Sequence, residues 1–336
     1  MQHNYPLKHL NTFGLDVKAR YFLEVTDPAS MKQVFAREAF LAQPHMILGG
    51  GSNVLFSSDY PGTVIRIKTQ GKHLVSSHPD HVIIEAQAGE EWDQLVAWTV
   101  ENNWGGLENL SLIPGQAGTS PIQNIGAYGV ELKDVFHSLV ALEISTGTLH
   151  TFLAEDCQFG YRYSIFKGPA KGRFVILSVR YRLTAGEHHI NTGYGAIGRE
   201  LQAMGVQQPT IADVRQAVCA IRHSKLPDPK VTGNAGSFFK NPVVGTDLFN
   251  KLSGQYPDLV AYPAPAGMKL AAGWLIEKAG WKGFRRSDVG VHPHQALVLV
   301  NYGNASGAQI LELSREIQQS VSNKFGVELQ PEVNIL

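Results

Sequence analysis

Cysteine is nearly absent from this chain. Its 336 residues include two, Cys157 and Cys219, far apart and in no metal-ligand spacing. That excludes a disulfide framework and a cysteine-built metal site, and two reduced, buried thiols are expected. Charge is scarce and balanced: charged residues make up 17%, and 29 Lys and Arg face 29 Asp and Glu, for a formal net charge of zero. The basic excess of a general nucleic-acid binder is missing, so an anionic ligand has to be met by local groups. Long apolar runs are missing as well, since stretches such as residues 296–300 are far too short to cross a bilayer. The opening Met-Gln-His-Asn-Tyr-Pro lacks the basic and apolar regions of a signal peptide. A soluble cytoplasmic protein is expected, with neither nucleic acid nor membrane as partner.

What is present is a chain with 43% hydrophobic residues, long enough for roughly two or three domains. Glycine is plentiful, at 34 residues against an ordinary share of about 7%. The glycines cluster at residues 49–51, 105–106, 115–129, 193–198 and 233–236. One such cluster is as readily a tight turn as a place where backbone approaches a ligand. Several, each rich in Ser, Thr and Asn, favour a large ligand.

Strand and helix signals alternate. His45-Met46-Ile47-Leu48 reads as a short buried strand, and residues 81–86 are β-rich. A helix follows with Trp92, Leu95, Val96 and Val100 on one stripe. Thr210 caps a helix whose apolar face is Val214, Val218 and Ile221, with Asp213 in its first turn. Ile310, Leu313, Ile317 and Val321 mark another helix, stopped near Gly326, after which residues 327–335 read as a closing strand. Boundaries fall near 225–230, where two prolines interrupt a helix, and near 323–326. No repeat appears, and the class is α+β.

Two loops carry chemistry. Leu48-Gly49-Gly50-Gly51-Ser52-Asn53-Val54-Leu55-Phe56 is strand, glycine loop and apolar run. Its consecutive N–H groups suit an anion nest, with Ser52 and Asn53 adding side-chain donors. It satisfies neither the Rossmann nor the Walker A spacing. The second loop is Ile113-Pro114-Gly115-Gln116-Ala117-Gly118-Thr119-Ser120-Pro121-Ile122-Gln123-Asn124-Ile125-Gly126-Ala127-Tyr128-Gly129. Small residues and amide and hydroxyl donors suit a backbone-lined groove for a flat polar ring and a pyrophosphate; an elaborate turn is the alternative.

Together with Asn11-Thr12-Phe13-Gly14, these loops closely resemble the FAD-binding half of the UDP-N-acetylenolpyruvoylglucosamine reductase (MurB) family. The resemblance continues through Phe159-Gly160-Tyr161-Arg162, Lys225-Leu226-Pro227-Asp228-Pro229-Lys230 and the run from Gly233-Asn234-Ala235-Gly236-Ser237 to Pro242, and ends at Pro331-Glu332-Val333. It covers essentially the whole chain, in order.

The resemblance implies an FAD-binding fold of the vanillyl-alcohol-oxidase type in two subdomains, with a C-terminal α+β substrate domain. On this reading residues 1–65, with the strand 325–336, form the first subdomain and residues 66–222 the second. Residues 223–324 take the UDP-sugar. The implied activity is transfer of hydride from NADPH, through non-covalent FAD, to an enolpyruvyl UDP-N-acetylglucosamine in peptidoglycan synthesis, by a monomeric enzyme. Cofactor contacts are expected from Gly49, Gly50, Gly51, Ser52, Asn53, Pro114, Gly115, Gly118, Thr119, Ser120, Ile122, Asn124, Gly126 and Tyr128.

Reducing an enolpyruvyl ether needs a cation near the growing negative charge, a proton donor and a group holding the geometry. By resemblance these are Arg162, Ser237 and Glu332, the last in the closing strand. Arg162 lies among Phe159, Tyr161, Tyr163 and Phe166, whose walls are expected to strengthen its field. Ser237 is expected on a tight loop. Lys225 and Asn241 are the implied main substrate contacts, with Tyr262, Lys269 and Gln295 near the UDP portion and Tyr194 in the substrate-covering loop of the type I subgroup. Two positions depart from the family's common pattern: Tyr163 stands where relatives commonly have Asp, and Asn334 where they have Arg. His292-Pro293-His294 has no accompanying carboxylate or third histidine, which speaks against a metal. The rivals are a flavin oxidase acting on an alcohol, which would not need the Ser237 and Glu332 motifs, and a non-catalytic flavin or UDP-sugar binder.

Overall fold

The computed structural model describes residues 1–35 and 43–336. By internal contacts these form two compact units: Met1–Tyr5, Ala19–Gly50 and Pro61–Ser224 in one, and Pro6–Lys18, Gly51–Tyr60 and Lys225–Leu336 in the other. Helices and strands are mixed throughout both, so the class is α+β.

The first unit is built on two sheets. The smaller has the strand order Gln2–Pro6, Lys18–Val25, Tyr60–Ile67, His45–Leu48. His45–Leu48 runs parallel to Tyr60–Ile67 and ends at the first glycine loop, with Leu48 opposite Arg66. The larger sheet is antiparallel, in the order Leu149–Leu153, Phe136–Glu143, Phe174–Ala185, His81–Gln87, Lys72–Ser77, with Trp104–Gly105 added to Phe174–Ala185. Val179 pairs with Ala86 and Tyr181 with Ile84, all fully buried. Against this sheet lies the helix Trp92–Glu101, whose inner face is Trp92, Leu95, Val96 and Thr99. Thr99 takes the place expected for Val100: from Trp92 the 3.6-residue repeat returns at the seventh residue, and the Thr99 hydroxyl donates to Val96 O at 2.8 Å. Helices Gly195–Ala203 and Ile211–Lys225 share a small core of Ile197, Leu201, Val214, Ala217, Val218 and Ile221. Thr210 caps the second as expected: its Oγ1 accepts from Asp213 N, while Asp213 Oδ2 accepts from Thr210 N. Cys157 is buried, and burial pushes its thiol pKa up to about 12. Cys219 is only half-buried, against expectation, because it sits at the flank of its helix beside Arg215.

The second unit has an antiparallel sheet in the order Gly233–Ser237, Val298–Asn301, Val289–Val291, Arg285–Arg286. A three-stranded sheet sets Gly267–Leu270 between Val243–Val244 and Ala261–Ala264. The helix Gly307–Phe325 opens on a Ser306 capping box with Gln309 and stops at left-handed Gly326. The strand expected over 327–335 shrinks to Asn334–Ile335, which runs parallel to Val54–Leu55. Pro331 is the reason: it has no N–H to continue a ladder, and only an isolated bridge to Phe239 forms there. Glu332 therefore lies between these two pairings rather than in a strand. Among the described residues no helix is long and apolar enough to cross a membrane.

Candidate active site

In the first unit, the glycine loop after Leu48 meets the loop after Pro114 backbone to backbone. A Cβ on Gly50 would lie 3.2 Å from Gly115 Cα, and one on Gly49 would lie 2.6 Å from Thr119 Cγ2. The second loop is clamped from behind by the turn at Ala88-Gly89-Glu90. Ala117 N donates to Glu90 O and Gly118 N to Ala88 O, both at 2.9 Å. A side chain on Gly118 would strike Ala88 Cβ at 2.5 Å. Glu90, itself buried, accepts from Gly71 N at 2.7 Å and pairs with Lys72 at 2.9 Å. Gln116, which the motif reading passed over, ties its amide nitrogen to Ile67 O and Gly89 O. Its Oε1 is buried, has no hydrogen-bond partner among the described residues and lies 3.0 Å from where a Gly49 Cβ would stand.

Some expected cofactor residues turn their side chains into the protein instead. Ser120 is buried, donating to Ala117 O and meeting the Tyr181 hydroxyl, whose own pKa burial pushes up. Fully buried Asn124 donates to Glu131 Oε2 and Gly160 O and accepts from Lys133 N. Asn124 thus joins the second glycine-rich loop to the turn that carries Arg162. In that turn Gly160 and Tyr163 exchange both backbone hydrogen bonds, and Arg162 sits at φ +53°. The Arg162 guanidinium donates to Gly126 O at 2.7 Å and lies 5.5 Å from the Tyr161 ring centre. The aromatic enclosure expected around it is looser than foreseen, since Tyr161 and Tyr163 are exposed and only Phe166 is buried. Tyr163 instead lays its hydroxyl end against Gly168, which gives the departure at this position a packing role. Tyr128 stands edge-on to exposed Tyr194 with ring centres 5.6 Å apart, and burial raises its pKa.

In the second unit, Gly51 takes φ +66°, and a Cβ there would sit 1.9 Å from Leu10 O. Only glycine fits that position. Its carbonyl accepts from Thr12 N, while Thr12 O accepts from Asn234 N, so the Asn11-Thr12-Phe13-Gly14 turn holds both the loop and the strand Gly233–Ser237. Ser237 is exposed at the end of that strand, opposite Val298, beyond an irregular pairing. It is thus a strand residue and not on the tight loop expected, because the segment pairs with Val298–Asn301; the kink before it comes from Asn234 Oδ1 accepting from Gly236 N and from Gly236 at φ +70°. Glu332 N donates to Phe238 O at 2.8 Å, which places Ser237 and Glu332 on neighbouring segments. Glu332 O accepts from Asn53 at 3.4 Å, and Asn334 donates twice to Asn53 O. Asn334 thus fastens the glycine loop.

The residues expected near the UDP portion gather around the start of the helix Ala272–Lys278. Asn241 Oδ1 accepts from Ala272 N at 2.9 Å, and Gln295 Oε1 lies 3.3 Å from where a Gly273 Cβ would stand. Tyr262 pairs directly with Lys269 across two strands, so both project to one face. Lys225 is exposed at the end of its helix. His292 and His294 stand 5.6 Å apart, and among the described residues no His, Cys, Asp or Glu group could hold a metal.

The glycine-to-glycine approach and the orphaned Gln116 oxygen fit a cofactor lying along backbone, as FAD would. Residues 19–152 match the family model described as FAD binding domain, and residues 228–336 match that of the C-terminal domain of UDP-N-acetylenolpyruvoylglucosamine reductase. A protein of that name from Pseudomonas aeruginosa is 51% identical over 336 residues, covering 100% of this chain and 98% of its own. One from Flavobacterium johnsoniae is 48% identical over 337 residues, covering 100% and 99%. The solved reductase from Thermus caldophilus shares the fold, with a TM-score of 0.67 at 24% identity over 98% of this chain and 97% of its own. With half of its residues identical to such relatives from end to end, the chain belongs to the UDP-N-acetylenolpyruvoylglucosamine reductase family and is an FAD-binding oxidoreductase.

Proposed function

We propose that this chain reduces the enolpyruvyl ether of UDP-N-acetyl-3-O-(1-carboxyvinyl)-glucosamine to UDP-N-acetylmuramate for peptidoglycan, with NADPH as donor. The observation that carries this is identity of about one half with named reductases across the full length. FAD, held by the backbone of residues 49–53 and 114–128, supplies the hydride at flavin N5 when bound.

The chain's own groups do the rest. Arg162 cannot lose its charge, and its planar fork suits the substrate carboxylate as enolate character grows. Its hydrogen bond to Gly126 O fixes one edge of that fork. Ser237 projects an exposed hydroxyl from the end of a strand whose next two residues, Phe238 and Phe239, are fully buried, so its position is set from behind. It donates the proton to the substrate carbon. Glu332 orients this donor or relays its proton; the Glu332 N–H on Phe238 O fixes its backbone beside the donor's strand. Lys225, Asn241, Tyr262, Lys269 and Gln295 receive the UDP portion, and Tyr194 closes over the substrate. Residues 1–65 with 325–336, and 66–222, serve the cofactor, while 223–324 serve the sugar nucleotide. The enzyme works as a cytoplasmic monomer.

The test is anaerobic. NADPH bleaches the yellow protein, and the enolpyruvyl UDP-sugar restores its colour with formation of UDP-N-acetylmuramate. Bleaching without recovery on adding the sugar would sink the assignment.

A further inference from the structure

One carboxylate in the first unit bonds both to the segment just before Pro114 and to the helix Ile211–Lys225. Asp93 stands in the first turn of the helix Trp92–Glu101. Its Oδ1 accepts from Leu112 N at 2.6 Å, and Leu112 is held at φ +56° just before the flavin loop opens at Pro114. A leucine adopts that conformation only when its surroundings over-determine it. The same helix start grips the segment twice more, through Trp92 Nε1 on Leu110 O and Trp92 N on Gly115 O.

From the other side, Arg215 closes a two-pronged pair on Asp93, Nη1 to Oδ1 at 2.7 Å and Nη2 to Oδ2 at 2.9 Å. Arg215 lies in the first half of the helix Ile211–Lys225, which packs on Gly195–Ala203, the helix that follows Tyr194. The side chains of the pair are about a fifth to a quarter exposed. That enclosure, with fork geometry, makes the contact stronger than an ordinary surface ion pair. The helical pair has other attachments: Asn109 Nδ2 donates to Asn191 O in the segment leading into it, and Tyr128 packs on its core, so losing Arg215 loosens it without releasing it.

We propose that Asp93 is a positioning residue that couples cofactor loading to the seating of the helical pair over residues 195–224. The coupling is reciprocal: a ligand that orders the loop after Leu112 steadies Asp93 and so Arg215, and the reverse. This rests on the reading of residues 114–128 as a flavin loop.

The experiment follows amide hydrogen exchange in the full-length protein, with and without FAD. In the wild type, FAD slows exchange at residues 110–120 and, by roughly threefold or more, at 195–224. In Arg215→Met the loop keeps its protection while the FAD-dependent slowing at 195–224 shrinks. Arg215→Lys recovers part of the coupling. Asp93→Asn retains an acceptor for Leu112 N and keeps its FAD affinity within a few-fold, whereas Asp93→Ala weakens FAD roughly tenfold or more. Protection of 195–224 by FAD that stays at its wild-type size in Arg215→Met overturns the coupling. FAD that protects neither segment in the wild type overturns the flavin-loop reading and the coupling with it.

Discussion

The two units present their chemistry in opposite ways. In the first, the surfaces that fit the cofactor are main chain: the Gly49-Gly50 turn against Gly115, with Ser120 and Asn124 turned inward to brace the loop. In the second, the groups proposed to act are side chains standing off sheets, with Ser237 at a strand end and Tyr262 opposite Lys269. A backbone-built surface is specified by what its side chains do not occupy, a side-chain-built one by which atoms are delivered. Substitutions in the first region should therefore change how much flavin is held, and those in the second how fast bound flavin is used.

The largest effect expected is on the second side. Ser237→Ala should leave bleaching by NADPH intact and slow reoxidation by the enolpyruvyl sugar by roughly 10²–10⁴-fold in stopped flow. Unchanged reoxidation would remove Ser237 from proton donation. Next comes the first region: Gly118→Ala drives a methyl into Ala88 Cβ at 2.5 Å, at a cost of about 1–3 kcal/mol. Purified protein should carry less flavin while turnover per bound flavin stays near normal, and a normal flavin content with slow turnover would erase the contrast. A smaller effect appears with pH. Glu108 is buried and accepts from Gly106 N at 2.6 Å, and burial outweighs that bond and raises its pKa above the ordinary carboxyl range. Its proton-bound form is the one the fold favours. The contribution is present below the unfolded value and is lost as pH rises through the raised folded value. Glu108→Gln should flatten the decline in urea-unfolding stability across that window, and an unaltered slope would refute the assignment. Smallest of all, Glu316→Gln removes an exposed partner of Arg286 at 3.0 Å and should shift stability by no more than about 0.5 kcal/mol.

Main-chain surfaces were also the more legible in the sequence. Runs such as Gly49-Gly50-Gly51 and the spacing of Gly115, Gly118 and Gly126 stand out because glycine is costly unless close approach or positive φ needs it. The helices were legible through period and ends, as at the Thr210 cap and the Gly326 stop. The roles of Arg162, Ser237 and Glu332 came from motif resemblance, since nothing local distinguishes a serine after glycine from a cap. The link of Asp93 to Arg215 was invisible for another reason. The two lie 122 positions apart, and helix-surface acids and bases ordinarily face water. The one available signal was an acid beside the buried Trp92, in a turn where a carboxylate already suits the helix end. The closing strand is shorter than its apolar pattern predicts because Pro331, which has no N–H to give, breaks the ladder.

The parallel pairing of Asn334–Ile335 with Val54–Leu55 spans 280 positions of sequence. During synthesis the segment behind the first glycine loop therefore waits for its partner until nearly everything between them has left the ribosome. Closing so long a loop adds little to its entropic cost beyond a moderate one, because that cost grows only with the logarithm of length. It does postpone the step. Newly made chains hold Val54–Leu55 without its parallel partner through most of translation, so the segment behind the first glycine loop is among the last parts of the fold to be completed.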